Sequence, residues 1–270
     1  MKFCDRLWLW GQNAGSHHNA AGNQRWKLPG ENKMEPLEGA QFLGIPNMCR
    51  VVMCNLPKPP FDDEAEKLHS MRRVMWSAIG DSGSVRNDDA TDLDEVLRLA
   101  EKFPNITGAI LDDFFRSPIA PTPARLSLSA VQAMADALHA CPARRLDFSV
   151  VFYKRQLPMA VDDYLHCFDI VTYWNMMAPA ELDDLSRDFD AVVARTPGQR
   201  RMNGCYLWNY GEGKPLTRKQ IETECETYRS HILAGTSEGI IFCSNCCADL
   251  GTEAVDFVRE WIEQHADDEC

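Results

Sequence analysis

At 270 residues, 45% apolar and 25% charged, the chain has the composition of a polypeptide that buries a core. Disorder, collagen-like repetition and low complexity are excluded. No apolar run reaches the roughly 18 to 20 residues that span a bilayer, and 28 basic against 40 acidic residues leave a formal charge of −12. That surplus repels nucleic acid phosphates and anionic lipid alike, so neither nucleic acid nor a membrane is an expected partner.

The first residues, MKFCDRLWLWGQN, carry one Lys, then an acid, with too short an apolar stretch and no small-residue cleavage site for a secretory signal. Eleven cysteines are an odd number. They are scattered along the chain, which disfavours a disulfide framework and points to a reducing, cytoplasmic compartment. The glycosylation pattern Asn105-Ile106-Thr107 then has no meaning, because it applies to secreted chains.

Eight short apolar runs rich in β-branched and aromatic residues follow one another: residues 5–12, 49–56, 73–80, 106–113, 146–153, 168–175, 202–210 and 239–245. Each has strand length. Between them, apolar residues recur at helical spacing: Leu93, Val96, Leu97 and Ala100, then Val131, Met134, Ala135 and Leu138. A later helix shows Ile221, Cys225, Tyr228 and Ile232 on one face, with Thr217 as its cap and Gly235 as its stop. The last carries Val255, Val258 and Ile262 behind Thr252.

Parallel strands need crossovers of about a dozen residues or more, and each gap is long enough for a helix. Eight strand–helix units predict a closed (β/α)8 barrel, a single domain over 1–270. The rival, a doubly wound open sheet, calls for a Gly-rich first turn, and GQNAG is not GxGxxG. No linker or composition shift divides the chain. A long polar, glycine-containing loop over about 13–35 joins the first strand to the first helix, on the side where barrel loops build sites. The proline-containing RSPIAPTPARLS after the fourth strand reads as a semi-rigid rim.

Function in this architecture gathers at the carboxyl ends of the strands. The first strand delivers Trp10 and Gln12 there, the second Asn55, the third Asp81, the fourth Asp112 and Asp113. The fifth delivers Tyr153 and Lys154, the sixth Tyr173, Trp174 and Asn175. The seventh supplies Trp208, Asn209, Tyr210 and Glu212, the eighth Ser244 and Asn245. Rings that stack on sugar faces, beside amides and carboxylates that bond hydroxyls, suit a small carbohydrate. NYGEGKP lacks the spacing of a phosphate loop.

The most specific feature is Ile110-Leu111-Asp112-Asp113, paired carboxylates closing a buried run. Alternation predicts one in the mouth and one toward the helices, the first for chemistry and the second for support. The plainer reading is that both cap the strand–helix turn. With its eight units and GAILDDFF, the chain resembles the barrel glycoside hydrolases as a broad group, many of which place an acid at the end of the fourth strand. It lacks the Asn-Glu pair of the largest retaining clan and the full DxxDxDxE of the chitinase-like enzymes. The resemblance therefore implies glycosidic cleavage by carboxylates and assigns no particular family.

Such cleavage uses two carboxyl groups, about 5 Å apart for retention or roughly 6.5 to 9.5 Å for inversion. Glu212, after the aromatic-rich seventh strand, is the expected partner for Asp112 or Asp113. It also reads as a solvated loop acid between two glycines. Asp81, in GDSGS, is the reserve, and equally a turn residue serving its own backbone. Phe114, Trp174 and Trp208 are candidate apolar walls that would keep one acid protonated.

Two other readings stand beside this one. Lys154 at a strand end suits a Schiff-base aldolase or lyase, against an ordinary exposed Lys. A non-catalytic carbohydrate-binding barrel would keep the rings and use the acids for hydroxyls only. No cofactor and no metal site is expected. His17 and His18 are adjacent rather than spaced as ligands, and Cys243, Cys246 and Cys247 read as small buried residues.

Overall fold

The computed structural model describes residues 1–20, 26–88 and 90–270. Eight parallel strands, β1 (Leu7–Gly11), β2 (Asn47–Arg50), β3 (Arg73–Ile79), β4 (Ile106–Leu111), β5 (Asp147–Tyr153), β6 (Ile170–Trp174), β7 (Arg200–Tyr206) and β8 (Gly239–Cys243), form a closed barrel in sequence order. Closure is made where β8 pairs with β1, Ile240 opposite Leu7 and Cys243 opposite Trp10. The expected barrel is therefore the one observed. Most strand positions are buried, as continuous apolar runs such as LWLWG require when a sheet is covered on both faces.

The outer layer comprises α1 (Ser16–Asn19), α2 (Pro36–Leu43), α3 (Asp62–Lys67), α4 (Leu93–Lys102), α5 (Leu128–His139), α6 (Asp162–Leu165), α7 (Leu185–Arg195), α8 (Arg218–Leu233), α9 (Asn245–Ala248) and α10 (Glu253–His265). The apolar stripes face inward as their spacing demands: Ile221, Cys225, Tyr228 and Ile232 of α8 are buried. Thr217 caps that helix in a reciprocal box with Gln220. Gly235, at φ 71°, turns the chain out of it in the left-handed conformation that glycine adopts without strain.

Two strands end earlier than their composition suggests. The second run was expected over 49–56, yet β2 leaves the ladder at Arg50. Val51 and Val52 stay buried, and then Cys54 and Asn55 take positive φ in a tight turn closed between Met53 and Leu56. Similarly β7 stops at Tyr206, and Asn209 opens a turn that pairs with Lys214. In both cases a buried apolar tail continues the strand's composition, keeping a backbone bond to the neighbouring strand, Val51 N–H to the Gly11 carbonyl and Leu207 N–H to the Cys243 carbonyl, each at 2.9 Å, before the chain turns away.

The long connection after β1 holds α1, and residues 21–25 of the expected loop lie outside the described residues. All eleven cysteines are free thiols. Among the described residues, no helix is long and apolar enough to cross a membrane.

Candidate active site

A cavity of about 410 Å³ opens at the carboxyl ends of the strands. Its acidic side is built by β3 and β4. Asp112 and Asp113 follow β4 directly and both line the cavity, which alternation alone would not give. The cause is local: Asp113 has φ 42°, so the chain turns sharply between the two side chains. Asp112 is buried, and its Oδ1 accepts from the Asp113 backbone N–H at 2.8 Å. The Asp113 carboxylate accepts from the Tyr153 hydroxyl at 2.8 Å and from the Ser82 backbone N–H at 3.0 Å.

Burial holds the Asp112 carboxyl well above its ordinary range. The neighbouring charges of Asp113 and Asp81 push the same way, while the Asp113 N–H and the Arg125 guanidinium oppose them. The direction of that shift favours the protonated form of Asp112. Burial also raises the phenols of Tyr153 and Tyr206, keeping them neutral donors. Asp81 lines the cavity too, but its oxygens serve its own loop and the turn after β2. Oδ1 accepts from Cys54 N–H at 2.9 Å and Ser84 Oγ at 2.6 Å, and Oδ2 accepts from Gly83 N–H at 3.1 Å.

The opposite wall is aromatic. Trp10 and Trp174 meet edge to face, 5.1 Å between ring centroids, and Tyr206 packs against Trp174 at 5.2 Å. The Trp174 indole lies over Gly204 of β7, where any Cβ would collide with the ring. Trp26, Tyr210 and His17 form a second group of mutually perpendicular rings. His17 Nδ1 and the Tyr210 hydroxyl are 2.6 Å apart. Burial pulls His17 down to about 3, with the charge of His18 adding to the effect, so its imidazole is neutral.

Eight of the residues expected in the mouth line it: Trp10, Gln12, Asp81, Asp112, Asp113, Tyr153, Trp174 and Tyr210. Nine do not, and each has a physical reason; Asn209 is taken up by Glu212 in the turn after β7, and Ser244 caps α9. Glu212 is exposed in the turn after β7, its carboxylate on Asn209 Nδ2 at 2.6 Å and Lys214 Nζ at 3.0 Å. Lys154 points away to Asp188 at 2.6 Å and Glu181 at 2.8 Å. Burial lowers its ammonium pKa, but those two carboxylates outweigh burial and leave it raised, the reverse of what an imine-forming lysine needs.

Tyr173 alternates outward from Trp174 and packs toward Phe189, and Asn175 donates to Glu181. Asn55 accepts from the Arg86 backbone N–H in the turn after β2. Asn245 and Trp208 stand one layer behind the wall. The Asn245 amide bonds both the N–H and the C=O of Gln12 at 2.8 Å, and Trp208 donates to the Trp26 carbonyl at 2.8 Å. Phe114 is enclosed with Phe115, Tyr164 and Phe168 rather than facing the acids.

His17, Trp26, Arg155 and Tyr206 line the cavity without having been expected there. Tyr206 was legible in principle, since it ends β7 once the strand is stopped before Leu207. His17 and Trp26 sit in a polar loop with no periodicity to orient them. Among the described residues, no group of three or more His, Cys, Asp or Glu is placed to hold a metal ion.

No family model and no curated protein matches the sequence. Solved structures share its fold. A glycoside hydrolase family 5 enzyme from Prevotella bryantii B14 aligns at TM-score 0.53 and 11% identity, over 98% of this chain and 96% of its own. A family 18 chitinase from Cycas revoluta aligns at 0.54 and 10%, over 94% and 98%. A β-galactosidase from Marinomonas ef1 aligns at 0.58 and 10%, over 98% of this chain and 59% of its own. At these identities the likeness is one of fold, the (β/α)8 barrel.

Proposed function

We propose that the protein is a glycoside hydrolase that cleaves a small carbohydrate or glycoside by carboxylate acid/base catalysis, with Asp112 as proton donor and Asp113 as its charged partner. The observation that carries this reading is a buried Asp112 beside Asp113 in a ring-walled mouth, where burial favours its protonated form. The volume of about 410 Å³ lies within the range of small-molecule sites, roughly 300–1,000 Å³. Trp10, Trp174 and Tyr206 offer faces and edges to a sugar ring, and Gln12 offers an amide.

In this mechanism Asp112 gives its proton to the departing glycosidic oxygen. Positive charge develops on the sugar ring in an oxocarbenium-like transition state, and the Asp113 carboxylate, held by Tyr153 and Ser82, stabilises it. Asp112, now ionised, takes a proton from the incoming water by the reverse of its first step. Glu212 has no part in the sequence, because its position in the turn after β7 lies outside the cavity. The likeness in fold to solved glycoside hydrolases supports the class of reaction and leaves the sugar open.

The test is a panel of aryl glycosides with the wild type, Asp112→Asn and Asp113→Asn. Wild-type turnover of at least one sugar is expected. Asp112→Asn should lose more rate on poor leaving groups than on 4-nitrophenol, with ligand binding kept. Binding without turnover of any sugar would overturn the proposal in favour of a carbohydrate-binding barrel, as would undiminished rates in both variants.

A further inference from the structure

The opposite end of the barrel holds a second cavity, of about 220 Å³, at the amino-terminal ends of the strands. Five arginines line it: Arg6, Arg73, Arg144, Arg145 and Arg200. Two lining acids face them, Asp147 and Glu238. Arg200 engages both, at 2.5 and 3.4 Å, and Arg145 engages Asp147 and Asp169.

Among the described residues, the other three arginines have no carboxylate within ion-pair distance. Arg144 donates to the carbonyls of Ala100, Phe103 and Ile106. Arg73 lies 4.7 Å over the Trp8 ring and donates to Asn47 Oδ1 and the Asp5 carbonyl. Among the described residues, Arg6 has a single long hydrogen bond, 3.4 Å to the Glu238 carbonyl, and its buried Nε has no partner.

A half-buried cation without an ion-pair partner is costly, and three of them converge here on an open space in a chain whose formal charge is −12. Guanidinium groups present forked N–H donors that match phosphate oxygens two at a time. The cavity has room for a small oxyanion with a few waters, each occupying about 30 Å³ in the liquid, and none for a polymer. We propose that the amino-terminal end of the barrel is a binding site for a phosphate-type oxyanion, inorganic phosphate or a small phosphate monoester, held by Arg6 and Arg73 with Arg144 at its edge.

The test is calorimetric titration of the full chain at fixed ionic strength with inorganic phosphate, glycerol 3-phosphate and acetate. Saturable binding of one equivalent of phosphate is expected, weakened about tenfold or more in Arg6→Gln, since a charge-assisted hydrogen bond carries about 1.5–3 kcal/mol. Arg6 makes one weak protein contact, so this variant keeps the fold. Arg116→Gln, in the connection after β4 at the other end of the barrel, should bind as the wild type does.

Binding of glycerol 3-phosphate as well would show that the site takes a monoester, and binding of inorganic phosphate alone that it takes the free ion. Either supports the proposal. Absence of saturable binding, an equal response to acetate, or full affinity in Arg6→Gln would overturn it.

Discussion

Tyr153 reaches from the end of β5 to donate its hydroxyl hydrogen to Asp113 Oδ1 at 2.8 Å, tying the carboxylate to the neighbouring strand. Removing this bond leaves Asp113 with the Ser82 N–H as its other protein donor. Tyr153→Phe should therefore fold normally and lower kcat by about ten- to a hundredfold, in line with loss of one preorganised polar contact at a reacting centre. Steady-state kinetics on the best aryl glycoside would check this. An unchanged kcat would remove Asp113 from the reacting centre.

The raised carboxyl of Asp112 sets the pH behaviour. A proton donor works only while protonated, so kcat/KM should fall on the alkaline side as the pH passes its elevated pKa, and be insensitive to this group at lower pH. The limb should vanish in Asp112→Asn, whose residual rate on activated substrates is flat there. Rate profiles from pH 4 to 9 for both proteins decide the matter. An alkaline limb that persists in the variant would assign it to another group.

How far the sequence discloses this site follows from the kind of contact involved. Eight runs with helical gaps give the barrel, because burial on both faces writes continuous apolar strands into the chain. Asp112 and Asp113 are legible because they close such a run. Glu212 and Lys154 are misleading because their neighbours in space, Lys214 and Asn209 for one, Asp188 and Glu181 for the other, decide where they point. His17 and Trp26 come from a loop whose path no periodicity encodes. Glu212→Gln and Lys154→Met should accordingly leave turnover within about twofold, the range expected of groups that touch no reacting atom. A loss of about a hundredfold in either would restore it to the chemistry.

Gly204 is the position on β7 that admits the Trp174 indole, which is itself bonded from Nε1 to Thr172 Oγ1 at 2.9 Å. A methyl group there must push the ring toward Trp10 and the cavity. Overpacking of this kind costs typically 1–3 kcal/mol. Gly204→Ala should thus lower stability by about that amount in chemical denaturation and raise KM more than it lowers kcat, since it alters the wall and leaves the acids in place. Unaltered KM would mean that Trp174 does not bound the substrate.

Glu224 gives a prediction independent of activity. It sits on the inner face of α8, buried, with neither carboxyl oxygen hydrogen-bonded among the described residues, and burial pushes it up to about 8 from 4.5. The folded protein holds this proton more tightly than the unfolded chain does, so unfolding releases it and stability falls as pH rises between the two values. The contribution is complete below about 4.5 and lost once the pH has passed about 8. A displacement of that size corresponds to a free-energy change on the order of 5 kcal/mol across the window. Glu224→Gln carries no titrating proton at this position. Its denaturation midpoint should overtake that of the wild type progressively from pH 5 to pH 9, whereas parallel stability curves would mean that Glu224 ionises in the folded state at its ordinary pH.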